Sequence, residues 1–283
     1  VADKSVIIER GSTTEEIVEQ LEREGVISRP AFLWVALFVR DLQSKFVSDE
    51  ASKKRAKAGE YLFKKQVTMN EVIDIITSGR SVEHTITIPE GYTVAQIDEV
   101  LTAAGVLNGG KLANLKPADF DYPFLANATG EGLEGFLFPD TYEFFLNSPS
   151  RVVAQKMLDN FSSKAALLLE PETAYQTVII ASMIEKEVPD KRNDRRLVAG
   201  IIESRLDLGM PLNVDAAVCY AESPFGCAGV EDIDFEIDSR YNTYKYRGLP
   251  PRPISNPGLS AIEAALNPED SDYLYYLSRP DTK

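Results

Sequence analysis

With one histidine and two cysteines among 283 residues, the side chains that most often run proton transfer and zinc chemistry are nearly missing. A catalytic zinc usually draws three protein ligands largely from His and Cys, and neither an H-E-x-x-H nor a paired C-x-x-C string occurs. His84 lies in SVEHTITI, which reads as a strand, so a serine or cysteine nucleophile lacks a well-placed imidazole base. If the chain is an enzyme, carboxylates and hydroxyls do the proton work.

One carboxylate is singled out by position. In ETAYQTVIIASMIEKEV, residues 172–188, Val178, Ala181, Ser182 and Glu185 fall at i, i+3, i+4 and i+7 and share a helical face. Glu187, two residues on and about 200° around the axis, points nearly the opposite way. A carboxyl group among apolar neighbours loses solvation of its charged form. Its pKa rises, and it can keep a proton near neutral pH for use as a general acid. Glu185 is the catalytic candidate on this reasoning. The competing expectation is structural: the side chain faces solvent at the helix end or pairs with an arginine of the next helix. Arg205, on the same stripe as Val198, Ile201 and Ile202, suits such a pair.

That next helix is expected over KRNDRRLVAGIIESRLDLG, residues 191–209, with Pro189 separating the two. Further upstream, VIIERGSTTEEIVEQLEREGVI from Val6 aligns without gaps onto ITIPEGYTVAQIDEVLTAAGVL from Ile86. Gly11 matches Gly91, Thr13 matches Thr93, Ile17 matches Ile97, Leu21 matches Leu101, and Gly25 matches Gly105. Each copy predicts a strand, a glycine turn, a Thr-capped helix and a C-terminal glycine. A weaker echo, VTMNEVIDIITSG from Val67, carries Thr68 as cap and Val72 and Ile76 on one face. A helix is expected around residues 32–42, followed by the charge-rich, solvated SDEASKKRAK. EGLEGFLFPDTYEF, residues 131–144, predicts a tight loop between short extended pieces. From Met210 onward only SAIEAALN reads clearly as helix; the Pro-, Asn-, Gly- and Tyr-rich remainder suggests a groove wall. The sum is an α+β chain with a small α/β module over residues 1–82 and a larger mixed domain over 83–283.

The net charge of −14 disfavours gripping nucleic acid, and the longest apolar runs fall far short of the roughly 18 residues that cross a bilayer. Cys219 and Cys227 flank a turn in CYAESPFGC, so both a disulfide and a pair of free apolar thiols remain open.

Five strings in order, TIPEGYTVAQI at Thr87, EGFLFPDTYEF at Glu134, ASMIEKEV at Ala181, SRLDLGMPLNVDAAVCYA at Ser204 and YNTYKYRGLPPRPISNPG at Tyr241, resemble the endolytic murein transglycosylases of the MltG (YceG-like) family. The resemblance implies a LysM-like N-terminal module, with AGEY at Ala58 at its turn, and a catalytic domain whose helix pair carries the active-site glutamate. It implies cleavage of peptidoglycan glycan strands between N-acetylmuramic acid and N-acetylglucosamine, within the strand, leaving a 1,6-anhydro end. The glutamate of the I-E-K-E string maps to Glu185, and neither metal nor cofactor is implied. Asn213 and Asp215 in LNVDAA, with Tyr241, Asn242 and Tyr244 in YNTY, are the substrate-binding candidates. Structural roles compete for each: a turn cap for Asn242, a helix cap for Asp215, packing for the tyrosines. Glu90 and Asp140 read as turn formers.

The family resemblance also implies an N-terminal membrane anchor, an enzyme facing the cell wall, and partners in cell-wall synthesis. The expected anchor does not precede Val1. Arg252 stands where a glycine is usual in the GLPP-G-PI pattern, and the family's H-x-F segment does not follow YLYYLSRPD. The alternative function is a non-catalytic peptidoglycan-binding or scaffolding protein.

Overall fold

The computed structural model describes residues 4–9, 11–31, 33–37, 56–57, 59–63, 67–78, 83–107, 111–128, 132–188, 192–227 and 229–276. Two compact units emerge, one of Val1–Ile86 with Thr102–Asn108 and Tyr142–Ser148, the other of Thr87–Leu101, Gly109–Thr141 and Pro149–Lys283.

In the first unit, strand β1 (Lys4–Ile8) alternates so that Val6 and Ile8 point inward. Gly11, at φ 91°, turns the chain into helix α1 (Thr14–Arg23). Thr13 caps α1 by accepting from the Glu16 N–H at 3.2 Å, while the Glu16 carboxylate accepts from the Thr13 N–H at 2.7 Å. Strand β2 (Gly59–Phe63) pairs antiparallel with β1, placing Tyr61 opposite Val6. AGEY therefore opens a strand with Gly59–Tyr61 instead of forming a turn; Ala58 lies outside the described residues. Helix α2 (Met69–Ser78) realises the weaker echo, and Thr68 and Glu71 build a second reciprocal cap. Val72 and Ile76 bury on the core with Ile17, Leu21 and Phe63, joined by Leu33 and Leu37 from helical residues 33–37. The expected helix beyond residue 37 and most of SDEASKKRAK lie outside the described residues.

Strand β3 (Glu83–Thr87) carries His84, whose Nε2 lies 2.6 Å from a Glu60 carboxylate oxygen. It opens the second copy of the repeat. Gly91 and Gly105 adopt φ of 75° and 72°, in the left-handed region that Gly11 and Gly25 also occupy. Helix α3 (Val94–Ala103) is capped by Thr93 and Gln96 in the same reciprocal manner. Strand β4 (Thr141–Phe145) follows the FPDTY loop and pairs with β3.

The second unit is mainly helical. Helix α4 (Ser150–Lys164), not anticipated from the sequence, buries Val153, Ala154, Met157, Leu158 and Phe161 along one side. Helices α5 (Ala174–Glu187) and α6 (Arg192–Asp207) are the expected pair. Helix α7 (Asp215–Glu222) was also unforeseen: two turns are too short for a clear period, and only Ala217 and Val218 of it are buried. Helix α8 (Leu259–Leu266) packs on α5 and α6. Residues 178–185 of α5 are buried without interruption, so α5 is a core helix and its apolar character does not define a single face. Among the described residues no helix is long and apolar enough to cross a membrane.

Candidate active site

Glu185 reaches away from bulk solvent. One oxygen accepts from the Arg195 guanidinium at 2.6 Å and the other from the Gly258 N–H at 3.0 Å; the glutamate is 4% exposed and the arginine 3%. Burial pushes the pKa of Glu185 up, Arg195 and the Gly258 N–H pull it down, nearby Glu90 pushes it up again, and the balance is raised. Glu90 lies against Gly258, which has no side chain to obstruct it. The ion-pair expectation is thus met by Arg195, from the first turns of α6, and not by Arg205. Arg205 donates instead to the carbonyls of Leu274 and Leu212, with its guanidinium 4.7 Å from the Tyr275 ring centroid. With both oxygens engaged, Glu185 ties α5 to α6 and to the loop before α8.

Glu187, on the other side of α5, shares the upward shift of Glu185 with a different set of neighbours. Burial and the neighbouring Asp215 raise its pKa to about 7, against the pull of the Tyr276 hydroxyl and the Ala216 N–H. That N–H belongs to the first turn of α7, where backbone donors converge. Asp215 accepts from the Tyr244 hydroxyl at 2.5 Å. Burial and these carboxylates raise the pKa of Tyr244, and burial with Glu187 does the same to Tyr276. Two residues proposed from the sequence, Asp215 and Tyr244, therefore gather with Glu187. Asn213, at φ 53°, sits in the left-handed region and donates its N–H to the Thr243 carbonyl at 3.3 Å. It shapes the entry to α7.

Asn242 is fully buried. Its amide donates to the carbonyls of Phe235 and Ile237 and accepts from the N–H groups of Tyr244 and Lys245. Every hydrogen-bonding direction of its side chain is spent on its own loop, so it organises that turn. Tyr241 is half-buried, with its ring 5.2 Å from that of Tyr220 and its hydroxyl accepting from Arg252 Nε at 3.2 Å.

A third buried carboxyl, Glu134, lies under this tyrosine pair. Burial raises it to about 8, opposed by Tyr220, the Val94 N–H, Arg252 and Asn256. Asn256 is the hub: it donates to Glu134 and to the Tyr92 carbonyl, each at 2.9 Å, and accepts from the N–H groups of Gly135 and Leu137. The EGFLF turn, the N-terminus of α3 and the loop before α8 are thereby fixed together. Cys219 and Cys227 are joined in a disulfide, closing the turn that follows α7. A surface recess of about 670 Å³ is lined by residues including Leu168, Arg196, Ser260, Glu263 and Asn267, and by none of these three carboxyls.

The sequence did not single out Arg195 as the partner of Glu185, nor Glu187 and Tyr276 as neighbours of Asp215. The signal for Glu187 was its spacing alone: two adjacent acids on opposite sides of one helix must meet different environments.

The irregular C-terminal half of this α+β chain thus brings a protonatable carboxyl beside a second acid and several tyrosines. The chain belongs to the YceG-like family, whose model matches residues 6–283. It is similar to the endolytic murein transglycosylase of Streptococcus pneumoniae strain R6, 30% identical over 311 residues covering 97% of this chain and 54% of that protein. The Bacillus subtilis enzyme of the same name is 32% identical over 244 residues, covering 78% and 67%. A crystal structure of a YceG-like protein from Listeria monocytogenes matches with a TM-score of 0.55 and 28% identity over 98% of this chain and 94% of that one. The chain spans about half the length of the pneumococcal relatives it matches.

Proposed function

We propose that this chain is an endolytic peptidoglycan lytic transglycosylase in which Glu187, not Glu185, is the general acid. The observation that carries the assignment is the contrast between the two: Glu185 is consumed in a buried ion pair, whereas Glu187, raised to about 7, stands beside Asp215, Tyr276 and the first turn of α7. Protonated Glu187 donates to the glycosidic oxygen as the bond from the muramic anomeric carbon breaks. The departing N-acetylglucosamine keeps that oxygen as a hydroxyl. The negative charge of Asp215 stabilises the developing oxocarbenium ion, and Tyr276 and the Ala216 N–H stabilise the Glu187 carboxylate. The muramic 6-hydroxyl then attacks its own anomeric carbon, its proton returns to Glu187, and a 1,6-anhydro end results. Because that nucleophile is tethered, effective molarity replaces a second catalytic acid.

In this reading Glu185 is a positioning residue, residues 1–82 form a LysM-like module, residues 83–283 form the catalytic domain, and the protein works outside the cytoplasm. The Cys219–Cys227 bridge supports that compartment, since disulfides persist where the surroundings are oxidising. Digestion of isolated sacculi followed by mass analysis tests the proposal. The expected products end in 1,6-anhydromuramic acid, and Glu187→Gln lowers their yield by about 10²–10⁴-fold. Reducing ends, or a folded Glu187→Gln of full activity beside an inactive, folded Glu185→Gln, overturn it. Sedimentation with sacculi without any released product favours the non-catalytic binding role.

A further inference from the structure

The mechanism uses the acids and leaves an aromatic pair beside them without a task. Phe235 and Tyr244 meet edge to face, their ring centroids 4.9 Å apart and their planes at 73°. Tyr244 is 38% exposed and Phe235 half-buried, so the pair is no core contact and shows ring surface to solvent. Contacts fix its place in the site: the Tyr244 hydroxyl donates to Asp215 at 2.5 Å, and Glu187 acts electrostatically on the same hydroxyl. The loop that carries the two rings is also held in advance of any ligand. The Asn242 amide donates to the Phe235 carbonyl at 2.8 Å while its oxygen accepts from the Tyr244 N–H at 3.1 Å, so one buried side chain sets both backbones. One residue upstream of Phe235, the Asp234 N–H donates to Glu222 at 2.6 Å. Both ends of α7 thus pin the loop, Glu222 next to Phe235 and Asp215 at Tyr244.

We infer that Phe235 is a substrate-binding residue which, with Tyr244, forms an aromatic corner that receives the apolar face of a glycan pyranose beside the cleaved bond. The inference rests on the transglycosylase reading. A pyranose chair directs its hydroxyls to the rim and C–H bonds to its faces, and the weakly positive hydrogens of those bonds meet the negative face of an aromatic ring. Such a contact is uncharged. It suits a chain of net charge −14 that must bind a ligand bearing carboxylates, because the rings grip the neutral part of the strand. Preorganisation adds to it: Asn242 and the ends of α7 set the loop, so little ordering is left for binding to impose. Asn242, a substrate-binding candidate from its sequence string, then serves the ligand indirectly, by holding the backbones of two rings.

Binding of peptide-stripped glycan strands, measured by calorimetry on the Glu187→Gln background, tests this without cleavage. Phe235→Leu keeps apolar bulk without the ring and should weaken binding about tenfold, whereas Phe235→Trp keeps a ring and most of the affinity. With Glu187 intact, Phe235→Leu should raise KM by the same factor while kcat and the falling pH limb stay in place. A 4-fluorophenylalanine at position 235 supplies a readout with the ring retained: its fluorine resonance should shift as strands are added. Undiminished affinity in Phe235→Leu, an equal loss in the leucine and tryptophan variants, which marks packing, or an unmoved fluorine signal overturns the inference. Release of anhydro ends by the unsubstituted chain tests the catalytic reading separately: their absence refutes that reading, and the binding results still decide the role of Phe235.

Discussion

Glu185 and Glu187 are separated by one lysine and both are raised by burial, yet an arginine pairs with the first and an aspartate opposes ionisation of the second. The sequence drew attention to the string that carries both acids. Apolar neighbours surround α5 on every side, so periodicity could not separate the two acids, and the partners that differ come from remote positions: Arg195, Asp215 and Tyr276. The consequence is a signed pH dependence. In the proposed mechanism Glu187 acts in its protonated form, so the rate should hold below its pKa and fall as pH rises through about 7. Asp215→Asn removes a neighbouring charge that favours protonation and moves the falling limb to lower pH. Tyr276→Phe removes a hydrogen bond that favours the carboxylate and moves it higher. A pH–rate profile of the three proteins checks all of this; a limb that stays put in both variants would exclude Glu187 as its source.

At the scale of elements, the legible parts were those with strong local signals. Both copies of the repeat fold as read, with matching glycine conformations and the same reciprocal Thr caps, because turn and cap chemistry is set within a few residues. α5, α6 and α8 followed from apolar recurrence. The loops that complete the site were not legible, since Asn242 and Asn256 organise them through contacts whose partners the sequence does not name. The clamp between α5 and α6 carries a sharp expectation. Arg195→Met leaves Glu185 as a buried carboxyl without its counterion, at a cost of about 3–5 kcal/mol of unfolding free energy. Chemical denaturation measures that loss. Replacing both members, Arg195→Met with Glu185→Leu, should recover much of it, because the penalty arises mainly from the stranded charge. A double variant as unstable as the single one would show that shape, not charge, matters at this contact.

For the whole molecule, each of the two units holds its own core and its own ionisable groups, so heat should unfold the chain in two resolvable transitions that respond to different conditions. The disulfide belongs to the second unit and closes a short loop, which corresponds to roughly 2–3 kcal/mol of chain entropy. Reduction should therefore lower one transition only. Acid acts with opposite signs. Glu134 and Glu187 bind protons more tightly when folded, so they stabilise the second unit at low pH and lose that contribution as pH rises through about 7 to 8. In the first unit, hydrogen bonds from Ser5 and His84 hold Glu60 below its ordinary value of 4.5, so its contribution is present above that value and lost as pH falls through the lowered one. Calorimetry from pH 8 to pH 5 should raise the reduction-sensitive transition relative to the other, and further acidification should lower the insensitive one. A single transition moving as a block with both reductant and pH would mean that the two cores unfold as one.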